Sequence, residues 1–173
     1  MSETAPAGTQ PLPQHDWLKN LVGDWQIQSV VSMGPEEAPL TLFGSERCEM
    51  MGPLWVICEG DGESPGGGRN IYKMGLGYDV SFQEYRGFFV CAMSSHHWRY
   101  VGELSEDGRT MTLTCEGPDM EVDGKSAWYR DVHTLIDDGT REMRSYFQDG
   151  EGSWIEFQVC TITRRALGIA EER

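Results

Sequence analysis

The spacing of hydrophobic and polar residues along this 173-residue chain changes period once and then holds. From Gln14 to Val22 the apolar residues Trp17, Leu18, Leu21 and Val22 fall at i, i+1, i+4 and i+5, one face of a short helix. Asp16 suits its N-cap and Gly23 its C-terminal stop. From Trp25 the period drops to two. Trp25, Ile27, Ser29, Val31 and Met33 alternate with Gln26, Gln28, Val30 and Ser32, which predicts a strand with odd positions inward.

Strands then succeed one another. The pattern predicts them at 40–51, bent at Gly44, and at 54–59, 70–80, 85–93 and 96–104. In the last of these Trp98, Tyr100 and Leu104 face inward and His97 and Arg99 outward. After the Asp107-Gly108 turn, Met111, Leu113 and Cys115 alternate with Thr110, Thr112 and Thr114. Strands at 127–136, 140–148 and 153–164 follow, joined by Asp137-Asp138-Gly139 and Asp149-Gly150-Glu151-Gly152. The glycine-rich stretch 60–69 reads as a mobile loop, suited to be a lid at a barrel mouth. It lacks the lysine and following helix of a phosphate cradle. Gly75 and Gly77, at alternate positions, leave room on one face for a close neighbour or a ligand.

About ten antiparallel strands without crossover helices predict an all-β fold: a single closed up-and-down β-barrel with a short N-terminal helix and an internal cavity. Residues 1–13, with three prolines among small and polar residues, are expected to form a flexible tail. Residues 14–164 form the barrel domain, and 165–173 a polar C-terminal tail.

Charge narrows the partners. Asp and Glu number 28 against 14 Lys and Arg, a net charge of -14, which repels phosphate backbones and anionic lipid heads. Nucleic acid and membrane surfaces are therefore set aside. No apolar run approaches the ~20 residues that span a bilayer, and the N-terminus has neither the basic nor the apolar region of a secretion signal. A cytoplasmic location is the expectation. The five cysteines (Cys48, Cys58, Cys91, Cys115 and Cys160) are odd in number, lack a CxxC pair and lie in apolar runs, as reduced thiols used as small hydrophobes do.

Gly23-Asp24-Trp25 after a short helix resembles the Gly-x-Trp signature of the calycin superfamily, which includes lipocalins and fatty-acid-binding proteins. A longer resemblance runs from His15 to Arg164. It is carried by His15, Leu18, Leu21-Val22-Gly23-Asp24-Trp25, Met33-Gly34-Pro35, Gly77-Tyr78-Asp79, Tyr100-Val101-Gly102, Tyr129-Arg130-Asp131-Val132 and Thr161-Ile162-Thr163-Arg164. These residues resemble a bacterial family known as domain of unknown function 1579, similar to lipocalins in fold. The resemblance implies the barrel and implies no chemistry. It also implies that a basic residue late in the last strand, Arg164 or alternatively Arg165, packs across Trp25 and closes the barrel base, with Gly23 and Trp25 as structural partners.

A small-molecule binding module follows as the leading reading, its cavity taking an apolar or amphiphilic ligand. Inward Trp98, Tyr100, Met111, Leu113, Ile155, Phe157 and Val159 would form the walls. Arg130 and Tyr78 are the candidate polar anchor, since fatty-acid-binding barrels hold a carboxylate with an inward arginine beside tyrosines. No cofactor and no metal are expected. The alternatives are a haem-binding barrel, with His133 or His96 as the single ligand, and a structural or interaction barrel filled by its own side chains. Catalysis finds little support: Ser94, Ser95, His96 and His97 are neighbours, but no Gly-x-Ser-x-Gly elbow exists and no carboxylate pair stands out. A homodimer is compatible with exposed barrel strands and apolar patches.

Overall fold

The computed structural model describes residues 8–120 and 122–165. Of the two expected tails, 1–7 and 166–173 lie outside the described residues, while 8–12 are exposed and without regular structure. Helix α1 (Pro13–Trp17) runs into a 3-10 turn at Leu18–Leu21. It begins at Pro13, one residue before the periodic pattern, because the fixed φ of proline suits a first helical position. The cap also differs from the expectation. Leu12 takes the N-cap position and its N–H donates to His15 Nδ1 at 2.9 Å, while Asp16 pairs with Lys19 at 2.5 Å.

Ten strands follow: β1 (Gly23–Val31), β2 (Leu40–Met51), β3 (Trp55–Glu63), β4 (Arg69–Asp79), β5 (Glu84–Cys91), β6 (Ser94–Leu104), β7 (Thr110–Pro118), β8 (Ser126–Asp137), β9 (Thr140–Gln148) and β10 (Trp154–Arg164). Each pairs antiparallel with its neighbours in sequence, and β1 pairs with β10 from Trp25↔Arg164 to Val31↔Gln158, closing the barrel. Inward positions are odd in β1, β5, β7, β8 and β9 and even in β2, β3, β4 and β6, as the buried residues of each strand show. Trp98, Tyr100, Met111 and Leu113 therefore face inward.

Three local expectations are corrected. The glycine-rich stretch is not a long lid, because β3 and β4 extend into it and leave only 64–68 as a hairpin turn. Gly60 belongs in a strand here because the Tyr72 ring lies where its Cβ would be, and Gly62 sits against Gly44 backbone. Gly75 and Gly77 make room for neighbours rather than a ligand: Phe88 covers the first and Trp55 the second. Finally, a bulge between Glu156 and Gln158 reverses the parity of β10. Beyond it Val159 pairs with outward Val30 and does not line the interior, while Gln158, Cys160 and Ile162 turn inward; Ile155, before the bulge, pairs with inward Phe147 at the rim and is 40% exposed.

The helix seals the end where β1 begins. Leu18, Leu21 and Trp17 are buried against that end, Trp17 Nε1–H donates to the Gly108 carbonyl and Trp25 Nε1–H to that of Leu21, both at 2.8 Å. The guanidinium carbon of Arg164 lies 4.2 Å from the centre of the Trp25 ring, and that of Arg141, from inside the barrel, 4.8 Å. Gly23 adopts φ +140°, and a Cβ there would collide with the Arg164 guanidinium. Arg164 also donates to the carbonyls of Val22 and Asp138.

Arg164→Ala removes this stack and its hydrogen bonds. It is expected to cost about 1–2 kcal/mol in urea unfolding, with the barrel's circular dichroism preserved.

Candidate functional site

Burial divides the barrel interior into two halves. In the half next to the helix Val56, Cys58, Met111 and Leu113 are completely enclosed. In the far half the inward side chains Phe89, Trp98, Phe147 and Phe157 remain only partly buried although they pack on the core. Apolar rings that point into a closed barrel yet keep contact with solvent line an open cup. Edge-to-face contacts bind its wall together: Trp98 to Tyr129 at 4.9 Å and Tyr129 to Phe157 at 6.5 Å between ring centres. Tyr129 is anchored by its hydroxyl, which donates to the Pro118 carbonyl at 2.5 Å.

Beneath the rings lies Asp131. It accepts hydrogen bonds from the hydroxyls of Tyr100 and Ser145, each at 2.5 Å. Burial pushes its carboxyl upward, against the opposing pull of those two bonds. Gln158 donates to Ser29 at 2.7 Å on the facing strands. A carboxylate flanked by hydroxyls, at the foot of an aromatic wall and without a cationic hydrogen-bond partner, receives a hydrogen-bond donor well.

The expected anchors are elsewhere. Arg130 shares the parity of Trp128, which is 50% exposed, so it lies on the outer surface with its guanidinium carbon 4.0 Å from the centre of the Trp154 ring. Tyr78 lies beside the helix, edge-on to His15 at 5.8 Å and to Tyr85 at 5.1 Å, and not in the cup. Phe157 stays with the inner wall because the bulge falls beside it. Asp131, Tyr129, Ser145 and Phe89 were not singled out by the sequence pattern. The direction of Tyr129 and Asp131 follows from the Met111↔His133 register, which a period-two pattern with apolar residues on both faces does not reveal.

The enclosed half holds a second polar group. Arg141, 2% exposed, forms an ion pair with Glu46, 7% exposed. Glu46 also accepts from the Tyr72 hydroxyl at 2.8 Å and from the Cys48 thiol at 3.2 Å. Burial alone would raise the Glu46 carboxyl, but Arg141 and these donors outweigh it and hold the group below its ordinary range. Breaking such a pair strands a charge. Arg141→Met is therefore expected to destabilise the barrel by about 3–5 kcal/mol in chemical unfolding.

Neither histidine proposed for haem presents a free ring face to the cup. His96 places Nε2 3.2 Å from the Glu116 carbonyl. His133 is buried between its cross-strand neighbours Met111 and Met143, with Nδ1 unpartnered. The residues present do not fit that group. Burial, followed by the Arg141 charge, lowers the His133 pKa from 6.5 to about 4. The unfolded chain thus takes up a proton below pH 6.5 that the folded chain refuses until about pH 4, so stability falls as the pH drops through this window. Between pH 7.5 and 4.5 this group alone should cost about 2–3 kcal/mol. His133→Leu should flatten the urea-measured pH dependence by that amount.

Two clefts mark the outer surface. One, of about 490 Å3, opens at the helix end between the 3-10 turn and the β8–β9 hairpin, lined by Lys19, Arg109, Arg141 and Arg164 among others. The other, of about 1150 Å3, runs over β5 to β8 past Phe88, Arg99, Val101 and Trp128. It overlies an interrupted seam. The β6–β7 ladder extends from Leu104↔Met111 only to Val101↔Thr114, although both strands continue towards the mouth. There side chains replace the ladder: the His96 ring approaches the Glu116 carbonyl, and the Trp98 ring lies over Gly117.

A ten-stranded antiparallel barrel, plugged by an N-terminal helix and braced by an arginine on the Gly-x-Trp tryptophan, is a lipocalin-like barrel. Within that class the chain belongs to the family described as "Protein of unknown function (DUF1579)", whose sequence model matches residues 10–164. Comparison of the sequence with curated proteins finds no match. Among solved structures, the S-type phycobiliprotein lyase CPES from Guillardia theta is similar at 11% identity and a TM-score of 0.61, over 90% of this chain and 94% of that one. Rv2717c from M. tuberculosis is similar at 12% identity and a TM-score of 0.63, over 91% and 100%. At these identities the likeness is one of fold.

Proposed function

We propose that this protein is a binding module that holds one small amphiphilic molecule in the cup, its apolar body against Trp98, Phe89, Phe147 and Phe157. The observation that carries this reading is the half-buried state of those inward rings above a fully packed lower half. A barrel that served only as a structural unit would gain by filling that space. The polar end of the ligand is a hydrogen-bond donor, neutral or cationic, because Asp131, an acceptor that already holds the hydroxyls of Tyr100 and Ser145, lies below the rings. A fatty-acid carboxylate, which only accepts, finds no complement there, and Arg130 stands on the other side of the wall.

The test uses Ala127, an inward residue of β8 near the mouth, partly buried against the core. A long-chain fluorescent amine and the matching fluorescent carboxylate are titrated into wild-type protein and into Ala127→Trp. Wild type should bind the amine at least tenfold more tightly than the carboxylate, and Ala127→Trp should lose most of that affinity while keeping its fold. Equal binding of the two probes would remove the role given to Asp131. Unchanged binding in Ala127→Trp would place the ligand outside the cup.

A further inference from the structure

The cup leaves a second group of side chains without a role. Glu46 and Cys48 lie two residues apart on β2, and Cys58 stands directly opposite Cys48 on β3, so all three side chains enter the enclosed half of the barrel together. A carboxylate oxygen and both sulfur atoms lie within 4.8 Å of one another, and all three residues are buried. Zinc takes both Cys thiolates and carboxylate oxygens as ligands, three of them leaving a fourth position open, and Zn–S bonds of about 2.3 Å place two sulfurs of a tetrahedron roughly 3.8 Å apart. Rigid paired strands thus hold the donors within an ångström or so of coordinating geometry.

We propose that Glu46, Cys48 and Cys58 form a buried thiolate–carboxylate site for a soft divalent cation of the zinc class. Charge balance supports it. Without a cation, Arg141 already neutralises Glu46 through their ion pair. When a divalent cation binds, the two Cys–H protons leave to solvent and two M–S bonds form, with no oxidation. Two positive charges enter and two depart, so the net charge of the interior stays at zero. Arg141 then serves as counter-ion to the anionic M(Cys)2(Glu) unit, as a low-dielectric interior requires.

Two further observations fit. Arg141 lines the helix-end cleft while its Nη2 touches Glu46 and lies 3.9 Å from Cys48 Sγ, so it joins the outer surface to the donors. The Tyr72 hydroxyl lies 2.8 Å from the second Glu46 oxygen and holds that carboxylate in place. Soft thiolate ligands select zinc-like ions over magnesium or calcium.

The test is made on the full chain, unfolded and refolded under reducing conditions with Co2+, so that slow passage into a closed barrel does not hide the site. One equivalent of Co2+ should produce a thiolate-to-cobalt charge-transfer band in the near ultraviolet and release about two protons per metal in weak buffer. Zn2+ should bleach the band. Alkylation in urea just below the unfolding midpoint, followed by peptide mass spectrometry, should then show Cys48 and Cys58 protected by Zn2+ relative to metal-free protein, with Cys91 modified equally with or without metal. Cys58→Ala should lose the band while binding the cup's amine probe unchanged. Absence of the band in refolded wild type, protection of other cysteines, or a band that survives in both Cys48→Ala and Cys58→Ala would overturn the assignment. If neither variant folds, the protection pattern in wild type decides.

Discussion

The ladder that closes the sheet begins at one cross-strand pair, Trp25 and Arg164. They stand directly opposite on β1 and β10, so the residue pair that starts the final ladder is also the stack that seals the base. A sheet of ten strands that failed to close would leave two long edges exposed. The indole has a second guanidinium on the interior side, from Arg141, which is itself held by Glu46. Closure, the helix plug and the buried ion pair are thus linked through a single ring. Trp25 also bonds back to the 3-10 turn through Leu21, which ties the plug to the same point.

This arrangement explains why the two halves of the interior differ. At the helix end the base stack and the plug exclude water, so the side chains there are packed and the polar ones are matched in charge. Towards the mouth no element covers the barrel among the described residues, and the inward rings keep an exposed face. Charges follow the same division. Glu46 carries a partner cation because it is enclosed, whereas Asp131, nearer the cup, is held by hydroxyls alone. A barrel of this kind has one end committed to stability and the other open to solvent.

The sequence pattern identifies the barrel, the number of strands and the plug helix, because each leaves a local mark: period two, Asp-Gly turns, a helical face; the brace on Trp25 by Arg164, with Arg165 as the alternative, is what the calycin resemblance implies. It also orients strands with one clean apolar face, such as the β7 strand bearing Met111, Leu113 and Cys115. It fails where orientation depends on partners. β8 has apolar residues on both faces, so the direction of Arg130 and Asp131 is fixed only by register with β7. A bulge adds one residue and reverses every side chain beyond it, which moved Val159 outward and Gln158 inward. Gly60 looks like loop because the ring that fills its place, Tyr72, lies on another strand.

The interrupted seam between β6 and β7 has a different bearing. Near the mouth these strands each have a neighbour on one side only, so a stretch of sheet edge survives inside a nominally edgeless fold. Such an edge invites a strand from another molecule to add to it. Here it ends in Pro118, which has no N–H to offer, and carries Arg99 and Glu116 on its surface, while His96 occupies the Glu116 carbonyl. The gap can therefore stay flexible without making the protein prone to associate through its own backbone.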